Sequence, residues 1–425
     1  MTGTVNERTR TTHTEAVVIG GGYAGLLAAA VLAHSGHDVL ILGGGGGRGG
    51  GGGVGGAEAA VARPPRLLRT GGQGIDGLLY GATRALRAAD ARSSLLAVPP
   101  HAAACGSGTG ISEFLSCSPE LLARVVRTEV LARPGYERET LWWEDARAVG
   151  LLGDREEVRG VVVRAEDGTT CSVRARLVVD AGGAPSAVAS RLAALGVPEA
   201  PRSVAGRAGS CATRLYSVSS ASADVPLTVA AAAGRTALAA PLEGGRWALS
   251  QYAHGPAPLP RGLTFEKAAA AFADPALRRL VAEGEPLTDV AVAEVPGAHW
   301  CHYERVRPWP RRFVVLGGAV AGSGLGSGLG FGSGPALGSG SGSGSGPADG
   351  WGLAGAEAAV RVLRNELAQG GISHPTLSRR VQREIAEQVA RAWPGPVRPG
   401  SARFRPAATS YVRALSGGFL RRGPR

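Results

Sequence analysis

Three glycines, Gly20, Gly22 and Gly25, set between an apolar strand and an Ala/Leu helix, constrain this chain more than any other feature. Ala16-Val17-Val18-Ile19 is a short apolar run that predicts a buried strand. The turn Gly20 to Gly25 follows, then a helix over Leu26–His34 closed by Ser35-Gly36, and a second strand over Asp38–Leu42. This is a βαβ opening. Gly20 permits the tight turn, Gly22 leaves bare backbone for a pyrophosphate to approach, and Gly25 lets the helix sit close on the sheet. The helix N-terminus attracts the anion with its unpaired N–H groups. With Tyr23 and Ala24 between them, these glycines are candidate dinucleotide-binding residues; a glycine-rich structural turn is the plainer alternative.

The same chemistry calls for an acid about 20 residues on, after the second strand, to hold ribose hydroxyls. That place is Gly43, and the first acid beyond it is Glu58. Residues 43–56 are nearly all glycine, broken by Arg48 and Val54. Glycine brings no side chain and loses the most backbone entropy on ordering, so this tract, like the Gly/Ser-rich 321–350, is expected to be poorly ordered or loosely packed.

Elsewhere the pattern predicts helical character over 57–92, an amphipathic helix over 118–132, strands at 157–166 and 171–180, and a hairpin over 236–252. Helices are expected near 265–284, 353–368 and 376–392, and a buried strand over Arg312–Leu316. Residues 1–15 read as a disordered lead, and the last 30 as an Arg/Pro-rich tail.

The chain has 425 residues, 44% of them hydrophobic, enough for a substantial core. No apolar run approaches the ~20 residues of a membrane span, and the polar N-terminus lacks a secretory core, so a cytoplasmic protein is expected. Five scattered cysteines argue against a disulfide framework. The net charge of +12 rests on 46 basic residues spread along the whole chain, which argues against a nucleic-acid face. His299, Cys301 and His302 lack a fourth partner for a metal site, so no metal is expected. No Ser-His-Asp, Cys-His or paired-carboxylate signature stands out.

The chain resembles the FAD-dependent monooxygenases of the aromatic-hydroxylase type, within them most the squalene-epoxidase-like flavin epoxidases of polyether biosynthesis. The stretches that carry the resemblance, over about residues 15–370, are AVVIGGGYAGLLAAAVLA (16–33), LVVDAGGAPS (177–186), RLAALGVP (191–198), CATRLYS (211–217), PLEGGRW (241–247) and RPWPRRFVVLGGAVA (307–321). The resemblance implies an α/β fold: a Rossmann-like FAD-binding domain, 16–198 and 307–370, an inserted mixed β-sheet substrate domain, 199–306, and C-terminal helices with a tail, 371–425. It implies cofactor contacts at Asp180, Ala181 and Gly183, at Gly317, Gly318 and Ala319, and at Arg69, besides Gly20 to Gly25 and Gly43. Gly182 replaces a family threonine, Gly318 replaces a family acid, and Cys117 or Ser118 stands where the family has an FAD-contacting arginine.

The activity implied is transfer of one oxygen atom from a flavin C4a-hydroperoxide to a hydrophobic small molecule, with NAD(P)H or a partner reductase supplying electrons. Arg214, Tyr216, Trp247 and Tyr252 are candidate substrate-pocket residues, ordinary sheet and core positions being the plainer reading. A flavin halogenase would carry Trp-x-Trp-x-Ile-Pro and an active-site lysine; the motif is absent and Lys267 falls in a surface-like helix. The missing acids at 43 and 318 remove two charge-assisted contacts, about 3–6 kcal/mol or roughly 10²–10⁴ in affinity. Three readings stay open: FAD held weakly through backbone and helix dipole, a degenerate relative with a non-catalytic role, or an altered or generated sequence in which glycine fills positions it should not.

Overall fold

The computed structural model describes residues 11–43, 62, 65–69, 78–98, 110–131, 140–143, 145–183, 185–205, 209–218, 227–232, 235–254, 263–295, 298–322 and 353–393. In chain order the first elements are β1 (Thr11–Ile19), α1 (Tyr23–His34), β2 (Val39–Leu42), β3 (Arg66–Arg69), α2 (Leu78–Ala88), β4 (Arg92–Val98), β5 (Gly110–Cys117) and α3 (Pro119–Leu131). Next come β6 (Thr140–Trp143), β7 (Arg147–Gly153), β8 (Val158–Arg164), β9 (Thr170–Asp180), α4 (Pro185–Ala194), β10 (Arg202–Ala205) and β11 (Gly209–Ser217). They are followed by β12 (Thr228–Ala232), β13 (Arg235–Pro241), β14 (Arg246–His254), α5 (Leu263–Ala270), α6 (Pro275–Glu283) and β15 (Glu285–Pro286). The chain continues through β16 (Ala291–Val295), β17 (Ala298–Cys301), β18 (Phe313–Val315), β19 (Ala321–Gly322), α7 (Leu353–Gly370) and α8 (Leu377–Ala392).

The main sheet has the order β6-β2-β1-β9-β8-β7, with β18 beside the end of β9. β6, β2, β1, β9 and β18 run parallel; β8 and β7 extend the sheet antiparallel. Toward their carboxyl ends the parallel strands β1, β9 and β18 are apolar because layers cover both faces: Ala16–Ile19, Leu177–Val179 and Phe313–Val315 are all buried. α1 has no polar face, and Gly25–Ala33 are buried, closed in by the sheet on one side and by α3 and α7 on the others. Each fully enclosed Val or Leu here contributes roughly 1.5–3 kcal/mol.

The second large sheet runs β12-β13-β14-β11-β15, with β16 also on β11. Phe265, Ala269, Phe272, Leu277 and Leu280 of α5, α6 and the turn between them cover one face, meeting Ala212, Tyr216, Trp247 and Leu249. Asp274 caps α6 by accepting from the Ala276 and Leu277 N–H groups, and proline at the next position suits that first turn. Two small sheets, β3-β5-β4 and β10-β17-β19, complete the set. The first is tied to the β13–β14 turn: Ser116 Oγ donates to the Pro241 carbonyl at 2.6 Å and Gly244 N–H to Asp90 Oδ2 at 3.0 Å.

Several expectations need correcting. The lead is not featureless through residue 15, because β1 begins at Thr11 and pairs with Ser172 onward; residues 1–10 lie outside the described residues. The span 57–92 contains the strand β3 beside the helix α2, since 66–69 find partners in β5 that local pattern does not reveal. β10 pairs with β17, and β17 pairs in turn with β19. Ser118 caps α3 through a 3.0 Å bond from the Leu121 N–H, and Cys117 is buried. The tracts 44–56 and 323–350, and the tail beyond 393, lie outside the described residues. None of the four described cysteines, Cys117, Cys171, Cys211 and Cys301, forms a disulfide.

Candidate functional site

Register fixes the site. Ile19 pairs with Asp180 and Val315 with Asp180, so β1, β9 and β18 end at one level. The loops that follow, 20–25, 181–183 and 317–319, therefore meet above the carboxyl edge of the sheet, where ligands bind in open parallel sheets. The Ala181 N–H donates to Ile19 O and the Leu316 N–H to Asp180 O, both at 2.8 Å, stitching the crossings.

Gly20 and Gly25 each have a measurable steric reason. Gly20 has φ of +103°, and a Cβ there would lie 2.8 Å from Ala181 O. A Cβ on Gly25 would sit 1.9 Å from Gly20 O, because the helix starts directly under the turn. Gly22 differs: it is the N-cap of α1, makes no side-chain cap, and a Cβ there would meet no described atom within 4 Å. Open space thus faces a helix N-terminus whose first turn carries no acid. This main-chain frame fits a dinucleotide pyrophosphate.

Gly317 (φ +63°) would place a Cβ 2.9 Å from that of Ala24, and Gly318 would place one 3.4 Å from Gly183 O. The second and third loops thus close on the first. Sequence reasoning missed the two side chains that hold the 317–319 turn. His299 Nε2 donates to Gly318 O at 2.8 Å, and the Tyr303 hydroxyl donates to Ala319 O at 3.2 Å. Burial lowers the His299 pKa and raises that of Tyr303, so His299 is held neutral and the Tyr303 hydroxyl keeps its proton. The signal was available only as an aromatic and histidine cluster, read there against metal ligation.

Asp180 is fully buried, and its carboxylate is engaged within the protein. It accepts from the Gly182 N–H at 3.1 Å and forms an ion pair with Arg191 of α4, another residue whose role sequence left unassigned. Asp180 therefore shapes the 181–183 turn. Tyr23, at the first position of α1, donates its hydroxyl to Glu357 Oε1. Gly43 ends β2 with its N–H on Trp143 O at 2.9 Å and offers no side chain. Arg69 lies in β3 opposite Phe114. Polar side chains for ribose and ribityl hydroxyls are thus missing at both Gly43 and Gly318.

The four pocket candidates do not converge. In a pleated sheet alternate residues point to opposite faces. Arg214, Tyr216 and Trp247 share the face covered by α5 and α6, with Tyr216 and Trp247 buried there. Tyr252 is on the other face, across from Cys211, near the 2.9 Å Thr213–Ser250 hydroxyl pair. Arg214 Nη1 and the Tyr216 hydroxyl both donate to Glu266 Oε1, at 2.7 and 2.9 Å, and burial raises the Tyr216 pKa. These three fasten helix to sheet.

The structure also assembles an unforeseen chain: the Ser203 hydroxyl and His302 Nε2 are hydrogen-bonded at 2.7 Å, and His302 Nδ1 donates to Glu304 Oε1 at 2.9 Å. The His302 ring lies 4.0 Å from that of Trp300, and the set ties β10 to β17. Ser203 and His302 are 99 residues apart, so no local motif announces them.

No known family model matches the chain, and no curated protein sequence matches it. Solved structures do. The flavin-dependent brominase Bmp2 is similar at 13% identity and TM-score 0.55, over 87% of this chain and 83% of that one. The myxobacterial chondrochloren halogenase CndH is similar at 14% and 0.55, over 89% and 79%. PqsL of Pseudomonas aeruginosa, described as a probable FAD-dependent monooxygenase, is similar at 17% and 0.52, over 90% and 93%. The chain therefore has the α/β fold found in FAD-dependent monooxygenases and halogenases.

Proposed function

We propose that this protein is an FAD-dependent oxidoreductase of the monooxygenase type acting on a hydrophobic small molecule. The observation that carries the reading is the meeting of loops 20–25, 181–183 and 317–319 over the ends of β1, β9 and β18, with open space before the α1 N-terminus. In this reading the main-chain amides at Gly22, Tyr23 and Ala24 hold the pyrophosphate, aided by the helix dipole. Asp180 and Arg191 set the 181–183 turn, and His299 and Tyr303 set the 317–319 turn against it. Bound FAD would supply the oxygen-transfer chemistry, with electrons from NAD(P)H or a reductase. The chain's own part is to orient the flavin and keep water from it. Epoxidation is the transfer the sequence resemblance favours.

The test is a visible absorption spectrum of purified protein followed by FAD titration. Flavin bands and saturable binding are expected, with micromolar rather than nanomolar affinity because Gly43 and Gly318 lack carboxylates. Protein that neither retains nor binds FAD would overturn the reading. A weakly binding, non-catalytic scaffold is the second reading, favoured by those same two bare positions. NAD(P)H oxidation in the presence of FAD and candidate alkenes separates the two.

A further inference from the structure

Where the helix α8 packs against β18 and the turn Tyr303–Arg307, helix and turn line a half-open cavity of about 600 Å³. Five guanidinium groups line it, from Arg305 and Arg307 on the turn and from Arg379, Arg380 and Arg383 on the helix. We propose that this cavity is a binding site for a phosphate-bearing small molecule of nucleotide size.

Charge carries the argument. Glu304 is the one acid among the described lining residues, and its carboxylate is already engaged by His302 and Arg305. Arg380 is paired with Glu366. Arg307 is held in place by donating Nη1 to the Glu304 and Val306 carbonyl oxygens, which neutralises nothing. Arg379 and Arg383 stand four residues apart on one helix face and have no carboxylate partner among the described residues. Like charges at that spacing repel. Three cations without a carboxylate partner among the described residues, lining one cavity from two elements, form a positive surface that an added anion would neutralise. The guanidinium fork pairs bidentately with phosphate oxygens, and Thr376 in the lining adds a hydroxyl. The volume falls within the ~300–1,000 Å³ of small-ligand sites.

The test is calorimetric titration of the full-length protein with inorganic pyrophosphate, ADP and NADPH at low salt. Saturable binding of pyrophosphate is expected, weakening as salt rises. The double variant Arg379→Gln/Arg383→Gln should bind it about tenfold more weakly or worse, less than the loss of two buried charge-assisted contacts because both side chains are exposed and screened by solvent. A variant of equal charge loss elsewhere, Arg124→Gln/Arg155→Gln, should bind as the wild type does. ADP or NADPH binding much tighter than pyrophosphate identifies a nucleotide as the source; equal binding identifies free polyphosphate. The proposal falls if pyrophosphate does not bind, if the cavity variant binds it unchanged, or if the control variant loses as much. Because all four residues are exposed, circular dichroism should show every variant folded. Flavin titration of the same variants should be unchanged, so this site and the flavin site fail separately.

Discussion

The Tyr23 hydroxyl donates to Glu357 Oε1 across 2.7 Å, joining the first turn of α1 to α7 from 334 residues away in sequence. Burial raises the pKa of Glu357 above its ordinary value near 4.5, and it raises that of Tyr23 as well. The folded state therefore holds the Glu357 proton more tightly than the unfolded chain does. The stability this contributes is fully present below pH 4.5 and is lost as pH rises through the folded pKa. Glu357→Gln keeps an acceptor for Tyr23 and removes the titration. Its stability relative to wild type should improve steadily as urea unfolding is repeated from acid to neutral pH. A difference that does not change with pH would show that Glu357 is not the strained carboxyl.

Gly22 and Gly25 should separate ligand binding from folding. Gly25→Ala forces a Cβ onto Gly20 O at 1.9 Å and should lower the unfolding midpoint sharply or abolish soluble protein. Gly22→Glu meets open space, so it should fold normally and lose FAD, because its charge would stand where the pyrophosphate approaches. Circular dichroism with flavin titration reads both. Normal FAD binding by Gly22→Glu would mean that the turn serves structure alone.

Restoring the missing acids should tighten FAD. Gly318→Asp fits, since its Cβ would lie 3.4 Å from Gly183 O, within reach of a small adjustment. Gly43→Glu places a carboxylate at the end of β2. The double variant should bind FAD roughly 10²–10⁴ more tightly, with nearly additive single effects. Neither change should stabilise the apoprotein. Flavin titration of the four proteins decides the matter, and an unimproved double variant would favour the scaffold reading.

Asp180→Asn removes the charge partner of Arg191 at a site closed to water. Breaking a buried pair from one side costs about 3–5 kcal/mol, so chemical denaturation should show a loss of that order. Since Arg191 is 12% exposed, the lower end applies. Substituting both, Asp180→Asn with Arg191→Met, should recover part of it.

The sequence by itself determined the βαβ opening, the glycine turn and the strand ends that frame the candidate site. Those features are local: a run such as Val17-Val18-Ile19 must be buried, and Gly20 and Gly25 sit where no side chain has room. It also exposed the bare positions Gly43 and Gly318, since an absent carboxylate is visible without coordinates. Tertiary structure alone decided what each polar side chain touches. Asp180 turned inward to Arg191, Tyr23 was given to Glu357, and His299 was placed on Gly318 because β17 passes beside the third loop. The pleat of β11 and β14 divided Arg214, Tyr216 and Trp247 from Tyr252, and register is not written in any one strand. The arginine cavity arises in the same way, from two segments some 70 residues apart that meet only when α8 packs beside the Tyr303–Arg307 turn. Hydrophobic periodicity is a property of neighbours in sequence; hydrogen-bond and charge partners are a property of neighbours in space.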